Sequence, residues 1–104
     1  MAKAIMINER DNNATLFGEA QPGETVSVVR ENGDLVQKVK ASQRIPVGHK
    51  IALREIREGE RVIKYGETIG VTTMNIQAGE HVHVHNVVGL AFPGTPVSAG
   101  SKPA

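Results

Sequence analysis

The fold is decided by the stretch Ile45-Pro46-Val47-Gly48-His49-Lys50-Ile51, which recurs with changes along the chain. Residues 56–62 and 76–82 repeat its spacing, and residues 21–26 are a weaker copy. Each copy has a glycine, which adopts the left-handed conformation of a tight turn without strain, and a β-branched residue three positions later that begins a strand. The four glycines are separated by 25, 11 and 20 residues, and this irregular spacing excludes a solenoid of fixed period.

Other segments also carry strand patterns. The run Ala4-Ile5-Met6-Ile7 predicts a short strand over residues 3–8. Residues 25–30 alternate between apolar and polar side chains, which is the period of a half-buried strand. Asn32-Gly33 follows and is typical of a two-residue type I′ turn, so residues 35–39 are predicted to return as the second strand of a hairpin. Short strands joined by glycine turns make the predicted fold class mostly β.

The composition describes one small domain and excludes several functions. A chain of 104 residues suits a single domain, and its net charge of +1 gives no field that attracts nucleic acid or an acidic membrane. The three Phe and Tyr residues are too few for a base-stacking platform. Without cysteine, any metal must bind to His, Asp, Glu or Asn. The sequence shows no signal-peptide core and no apolar run long enough to span a membrane, so we expect a cytoplasmic protein.

Residues 89–104 differ in character from the rest of the chain. They contain three glycines, three prolines and two serines. Such a composition is typical of segments that do not bury enough apolar surface to become ordered. We therefore predict one domain over residues 1–88, followed by a flexible C-terminal tail or linker over residues 89–104.

One stretch carries most of the candidate chemistry: His81-Val82-His83-Val84-His85-Asn86. As a strand, it would place three imidazoles on one face and its valines toward the core, with residues two apart separated by about 6.6–6.8 Å. Because a Zn–N bond is about 2.0–2.1 Å long, at most one adjacent pair of these imidazoles can bind one ion. The competing interpretation is a solvent-facing strand on which histidine is merely tolerated. The residues alone leave both interpretations open.

The remaining candidates carry weaker signals. His49 follows a turn glycine, where a lone histidine usually has no special function. Asp11-Asn12-Asn13 offers oxygen ligands but is also an ordinary turn sequence, and Lys64-Tyr65-Gly66 offers an ammonium and a phenol. The sequence contains no phosphate-binding loop, dinucleotide-binding glycine motif or nucleophilic serine motif. Sequence chemistry alone therefore indicates a small β domain with a histidine-bearing strand.

Four motifs, taken together and in order, resemble a known family. They are Asp11-Asn12, Ile45-Pro46-x-Gly48-His49-Lys50-Ile51-Ala52-Leu53, Val62-Ile63-Lys64-Tyr65-Gly66-x-x-Ile69-Gly70 and Gly79-x-x-Val82-His83-x-His85-Asn86-Val87. The set resembles the small N-terminal domain of the altronate and galactarate dehydratase family, a SAF-type domain. The resemblance covers residues 5–88 and implies a β-clip (SAF-like) fold built from short strands and hairpins with glycine turns.

The resemblance implies a partner and an activity. The family performs metal-dependent β-elimination of water from a sugar acid, giving a 2-keto-3-deoxy acid, and a similar two-part enzyme, sulfolactate sulfo-lyase, eliminates sulfite. This chain would be the small subunit or N-terminal domain of such a lyase, inactive alone and acting with a large dehydratase-like catalytic subunit. The alternatives are the alpha subunit of a sulfolactate sulfo-lyase-like enzyme and a non-enzymatic β-clip module for ligand binding or interaction.

The resemblance also implies a cofactor and substrate contacts. The complete enzyme would use a divalent metal, iron or manganese, whereas this chain would fold without metal. Its substrate would be a small acidic molecule, contacted by Asn86, Lys64 and Asp11.

Catalytic roles follow from the same resemblance. His49, His83 and His85 would act as proton carriers, substrate donors or metal ligands, since imidazole can serve in each role near pH 7. His83 and His85 would be the pair that binds the metal. His81 lies outside the family pattern, and we expect it at the surface.

Overall fold

The chain folds into short strands. A computed structural model describes residues 2–92 and 95–96, with side chains described for residues 2–89. Within these residues no helix could cross a membrane, because all the regular elements are strands. This architecture confirms the mostly-β, SAF-like fold class. The strands are β1 (Ala2–Ile5), β2 (Asn13–Leu16), β3 (Thr25–Val29), β4 (Leu35–Lys40), β5 (Lys50–Ala52), β6 (Arg61–Lys64), β7 (Glu67–Thr72), β8 (His81–Val82), β9 (Val87–Phe92) and β10 (Thr95–Pro96).

The described strands form two sheets. The larger sheet has the order β4-β3-β1-β2-β5-β8, and the smaller has the order β10-β9-β7-β6. β1 and β3 run parallel, whereas the other paired strands are antiparallel. β4 and β8 consequently lie at opposite edges of the larger sheet.

Four copies of one turn organise these strands, as the glycine pattern predicts. Gly23, Gly48, Gly59 and Gly79 have φ angles of +83°, +84°, +82° and +90°. In each copy, the residue after the glycine donates its N–H to the carbonyl two positions before the glycine, at 2.8–3.1 Å. The chain then enters β3, β5, β6 or β8 directly.

The four turns interlock in two pairs, the first with the second and the third with the fourth. Within each pair, the glycine N–H of one turn donates to the carbonyl seven positions before the glycine of the other, at 2.7–2.9 Å. Gly79, for example, donates to Ala52, and Gly59 donates to Thr72. The pairing fixes where each following strand begins, through hydrogen bonds between residues that are distant in sequence.

The repeated turn also supplies much of the core. Each copy buries one apolar residue three positions before its glycine and another three positions after it, and all eight are 0% exposed. These residues are Ala20, Ile45, Ile56 and Ile76 before the glycines, and Val26, Ile51, Val62 and Val82 after them. The same residues that define the sequence pattern therefore exclude water beneath both sheets.

A glutamate closes three of the four turns, and a histidine takes its place in the other. Glu24, Glu60 and Glu80 each accept, through Oε1, the backbone N–H three positions earlier, at 2.9 Å. In the second turn that earlier residue is Pro46, which has no N–H to satisfy. The residue after the glycine in the second turn therefore does not need to accept this hydrogen bond. That residue is His49.

The glutamate caps are expected to stabilise their turns measurably. Glu80→Ala should lower the free energy of unfolding by about 1 kcal/mol, because it removes the acceptor for the Gln77 N–H. In a Gln77→Pro background, which copies the second turn, the same Glu80→Ala change should cost less than half as much. Denaturant unfolding of the four proteins in this double-mutant cycle measures the difference. Equal costs in both backgrounds would contradict the role assigned to the cap.

The glutamate caps also make the stability of the fold depend on pH in the acid range. Hydrogen bonds from the backbone N–H groups of Gln21 and Arg57 lower the pKa values of Glu24 and Glu60, respectively. A carboxyl whose pKa is lowered by folding stabilises the protein above its unfolded pKa, and this contribution is lost as the pH falls through the lowered value.

One predicted turn type is wrong, although its hairpin is confirmed. β3 and β4 pair antiparallel, but only Gly33 of the Asn32-Gly33 pair has a positive φ. The loop is closed by bonds from the Gly33 N–H to Arg30 and from the Arg30 N–H to Asp34, which makes it longer than a two-residue turn. The dipeptide with two positive φ angles is Tyr65-Gly66, at +58° and +77°, between β6 and β7.

The predicted end of the domain at residue 88 falls within β9, and the domain bounds stay a prediction. β9 continues through this position to Phe92, and β10 pairs with it. Gly70 and Gly89 are partners in the pairing of β7 with β9, which joins residue 89 to the sheet. Residues 93–94 and 97–104, which complete the predicted flexible tail, lie outside the described residues.

Candidate active site

The second and fourth turns bring the histidines together. β5 leaves the second turn, β8 leaves the fourth, and the two strands pair antiparallel with Lys50 opposite Val82 and Ile51 opposite His81. One step further along this register, His49 faces His83. Ile51 and Val82 are fully buried, so the ends of both strands are anchored to the core.

The histidine stretch does not form the single strand that the sequence predicts. β8 ends at Val82, and the chain turns over residues 83–86. Asn86 makes this turn: its Oδ1 accepts the His83 N–H at 2.9 Å, and its Nδ2 donates to the His81 carbonyl at 2.8 Å. Val84 is consequently 75% exposed instead of facing the core. Because of this turn the imidazoles lie close together, whereas in a straight strand they would lie farther apart.

The convergence produces a compact group of imidazoles, which we call the histidine cluster: His49, His81, His83 and His85. His49 Nδ1 and His81 Nε2 are 2.8 Å apart, so one donates a hydrogen bond to the other. The ring of His83 stacks on that of His49, with centroids 4.1 Å apart. The exposed His85 lies at the rim, with its ring tilted against His81 at 5.1 Å.

The expectation that His81 is a surface residue is wrong. Its side chain is half-buried and hydrogen-bonded to His49. Burial, reinforced by the neighbouring imidazoles and the Lys50 ammonium, lowers the pKa of His81 to about 4. Burial is also the largest cause that lowers the pKa of His83, followed by His49, Lys50 and His85. The lowered pKa values favour the neutral form of both imidazoles near pH 7, in which one ring nitrogen of each carries a lone pair.

Lysines give the same face a positive potential. Lys50, the first residue of β5, repels protons from both His81 and His83. Its own pKa is lowered by burial and then by the nearby Lys64 ammonium. Lys64 ends β6 and lies 4.9 Å from the centre of the Tyr65 ring. The Lys50 ammonium beside the imidazoles favours the approach of an anion, and Lys64 lies near enough to Lys50 to add to the positive potential.

Asp11, predicted to contact the substrate, has a structural role in the fold. It is 8% exposed, and its carboxylate accepts the backbone N–H groups of Ile7, Asn8 and Gly66 at 2.8–3.3 Å. The bond to Gly66 holds the positive-φ turn that follows Lys64. Asp11 thus positions this lysine indirectly, and its contact with substrate stays a prediction.

Asn86 is similar, because both ends of its amide are bonded to the backbone of the histidine turn. The residue is 3% exposed, and its backbone carbonyl accepts the Thr73 N–H at 3.0 Å. These contacts support a positioning role. Its predicted contact with substrate stays a prediction, as do the roles assigned to the histidines.

The residues present fit a divalent transition metal. His49, His81 and His83 each offer a ring nitrogen, and the three ligand atoms lie within 4.8 Å of one another. Neutral imidazole is a preferred ligand of zinc, iron, copper and nickel. His85 is exposed at the rim and is not a member of this group. The nitrogens that converge are therefore those of His49, His81 and His83, and not those of the predicted pair His83 and His85.

Sequence reasoning missed two members of this face, His81 and Lys50. The available signal was the turn repeat itself, because His49 and His81 lie one and two residues after a turn glycine. It could not reveal that the second and fourth turns feed neighbouring strands.

The fold and the site define a small all-β module that presents neutral histidines and lysines at a sheet edge. Residues 2–90 match the family of altronate/galactarate dehydratase SAF domains. The chain belongs to this family, and the match confirms the resemblance carried by the sequence motifs.

The chain is similar in sequence to proteins of two kinds of lyase. The chain is 48% identical over 54 residues to (2R)-sulfolactate sulfo-lyase subunit alpha of Chromohalobacter salexigens, covering 52% of this chain and 57% of that protein. It is 44% identical over 59 residues to the subunit of the same name from Paracoccus pantotrophus, covering 57% of this chain and 85% of that protein. It is 35% identical over 86 residues to altronate dehydratase of Bacillus subtilis, covering 83% of this chain and 16% of that protein. The chain thus matches little more than half of the first relative and about one sixth of the last.

Proposed function

We propose that this chain is the small component of a metal-dependent sugar-acid dehydratase, which completes an active site together with a large catalytic chain. The observation that carries the proposal is the histidine cluster beside Lys50, in a domain whose family is that of altronate and galactarate dehydratases. The substrate would be a small hydroxy acid, converted to a 2-keto-3-deoxy acid.

The chemistry of elimination fits these residues. The C–H bond next to the substrate carboxylate breaks, and the imidazole of His85, which lies outside the three converging nitrogens, accepts the proton. The C–O bond at the neighbouring carbon then breaks, and the imidazolium returns its proton to the departing hydroxide, which leaves as water. The enol that remains tautomerises to the keto acid. Of the two lysines, Lys50 is placed to balance the negative charge that builds on the carboxylate.

A divalent metal bound at the cluster would supply Lewis-acid stabilisation of the enediolate. The chain's own residues orient the substrate and move its protons. His81, with its pKa lowered to about 4, is suited to remain neutral throughout the reaction. His85, exposed at the rim, is also a candidate to contact substrate.

A second candidate function is supported by the 48% identity to a sulfolactate sulfo-lyase alpha subunit. In that reaction a C–S bond would break and sulfite would leave in place of water. The same base and the same cationic face would serve both reactions, since both begin with proton removal beside a carboxylate. The product distinguishes them, because sulfite and a 2-keto-3-deoxy acid are detected by different assays.

Co-purification tests the proposed function. The chain, tagged and expressed at its native level in the source cell, should bring down one dominant partner, a large dehydratase-like chain. The purified complex should then convert a sugar acid such as altronate, or release sulfite from sulfolactate. Recovery of the chain without such a partner would contradict the lyase assignment and favour a non-enzymatic binding module.

Lys50 is expected to contribute to the affinity for the anionic substrate. In the purified complex, Lys50→Ala should raise KM by about 10-fold or more, because a charge-assisted contact is worth about 1.5–3 kcal/mol. Lys38→Ala is the matched control, since Lys38 is an exposed lysine on β4, at the opposite edge of the same sheet. Steady-state kinetics with both variants decide the point. An equal change in KM for the two would contradict a local role for Lys50.

A further inference from the structure

We propose that this chain on its own binds one divalent transition-metal ion, with His49, His81 and His83 as its protein ligands. The use of that ion in elimination rests on the proposed function, whereas its binding does not. The site differs from the pair His83 and His85 that the sequence suggested. Its ligands come from two separate segments, one after the second glycine turn and one after the fourth.

The distances between the ligand atoms are close to those of a metal site. A tetrahedral ion with bonds of about 2.0–2.1 Å holds its ligand nitrogens about 3.3–3.4 Å apart. His49 Nδ1 and His81 Nε2 are 2.8 Å apart and need to separate by about half an ångström, exchanging their mutual hydrogen bond for bonds to the ion. The nitrogen of His83 completes a group whose members all lie within 4.8 Å. Small side-chain rotations are enough to bring the three nitrogens to metal-binding distances, because β5 and β8 already hold their backbones side by side.

The chemistry of the donors selects the class of ion. Three imidazole nitrogens favour zinc, iron or nickel and disfavour magnesium and calcium, which prefer oxygen ligands. Three protein ligands leave a coordination position open, as in catalytic metal sites. The Lys50 ammonium, which acts electrostatically on His81 and His83, favours an anion in that open position.

Asn86 acts as a positioning residue for this site. Its amide bonds to the His83 N–H and the His81 carbonyl fold the turn that returns His83 toward His49. Outer residues that orient metal ligands typically affect affinity by about 10- to 100-fold when they are removed. The same turn leaves His85 exposed at the rim, outside the group of converging nitrogens.

Metal titration of the full chain tests the proposal. The chain is first depleted of metal with a chelator, and Zn²⁺ and Mg²⁺ binding are then measured by calorimetry and Co²⁺ binding by visible absorption. We expect one Zn²⁺ per chain, Co²⁺ absorption bands typical of nitrogen ligands, and Mg²⁺ affinity at least about 10³-fold weaker than that of Zn²⁺. His49→Ala and His81→Ala should each weaken Zn²⁺ binding by at least about 10²-fold, more than the loss of an outer residue.

His85→Ala is the matched control, because it removes an imidazole from the same turn and should change Zn²⁺ affinity by less than about threefold. Asn86→Ala should weaken binding by about 10-fold without altering the stoichiometry. Unfolding curves of the metal-free variants establish that each is folded, and His81→Gln replaces any His81→Ala protein that is not.

Three results would overturn the site: no Zn²⁺ binding by the folded parent chain, equal losses for His85→Ala and His81→Ala, or Mg²⁺ binding as tight as Zn²⁺. Absence of metal binding in a chain that still assembles with a large lyase subunit would refute this site and leave the proposed function standing. Failure to find that partner would refute the proposed function without altering the titration.

Discussion

Gly79→Ala is expected to destabilise the protein by about 3–5 kcal/mol or to prevent folding, the range of the most damaging single substitutions. A Cβ at position 79 would lie 2.0 Å from the Lys40 carbonyl oxygen, a backbone atom that cannot rotate away. The Gly79 carbonyl also accepts the Ser42 N–H at 3.0 Å, so the two segments cannot separate without losing this bond. The φ of +90° adds strain to the steric overlap.

The matched control is Gly48→Ala, in the second turn. Its φ of +84° is nearly the same, but a Cβ there would meet nothing within 4 Å. Only the backbone strain remains, which costs about 1–2 kcal/mol. Guanidinium unfolding of both variants separates the two contributions. Equal losses of stability would show that close packing around Gly79 does not hold the fourth turn in place.

His49→Ala and His83→Ala are expected to lower kcat/KM of the assembled enzyme by at least about 10²-fold each, because each removes one of the three proposed ligands of the metal that would stabilise the enediolate. The two rings stack at 4.1 Å, so both stand where one reacting centre can reach them. Kinetics of the purified complex measure the effect, with the exposed Lys38→Ala as a control whose kcat/KM should stay within about twofold.

Assembly has to be measured beside activity for these variants. Size-exclusion chromatography of each variant with the large chain should give the parental complex, because neither imidazole belongs to the buried core of the domain. Variants that assemble poorly but retain the parental kcat/KM per complex would identify the histidine cluster as a docking surface and contradict a catalytic role.

The sequence predicts those parts of the fold that depend on local conformation. A positive φ at Gly48 or Gly59 is a local preference, and the buried residue three positions later follows from the period of a strand. The pattern therefore predicts the turns, the strands that follow them and much of the core. The interlocking of the turns is not predictable in this way, because the bond from Gly79 to Ala52 joins positions whose proximity no local signal encodes.

The sequence likewise indicates only some residues of the candidate site, because the histidine cluster also depends on contacts between distant segments. The sequence motif includes His83, which lies in the histidine cluster, but a straight strand would separate this ring from that of His81. The roles of both residues stay predictions. Asn86 breaks that strand, through a buried amide whose two partners are backbone groups of the same turn. A sequence shows an asparagine after the histidines but not whether its amide faces a substrate or the main chain. The same ambiguity applies to Asp11, whose carboxylate accepts three backbone N–H groups, and its contact with substrate stays a prediction.

The most direct test of the account is kcat/KM of the assembled lyase carrying His81→Ala. The sequence motif leaves this residue out of the active site, whereas the structure places its ring 2.8 Å from His49 and half-buried among the other imidazoles. We predict a loss of at least about 10²-fold in kcat/KM with the complex intact. A value within about threefold of the parent enzyme would contradict the claim that the histidine cluster is part of the active site.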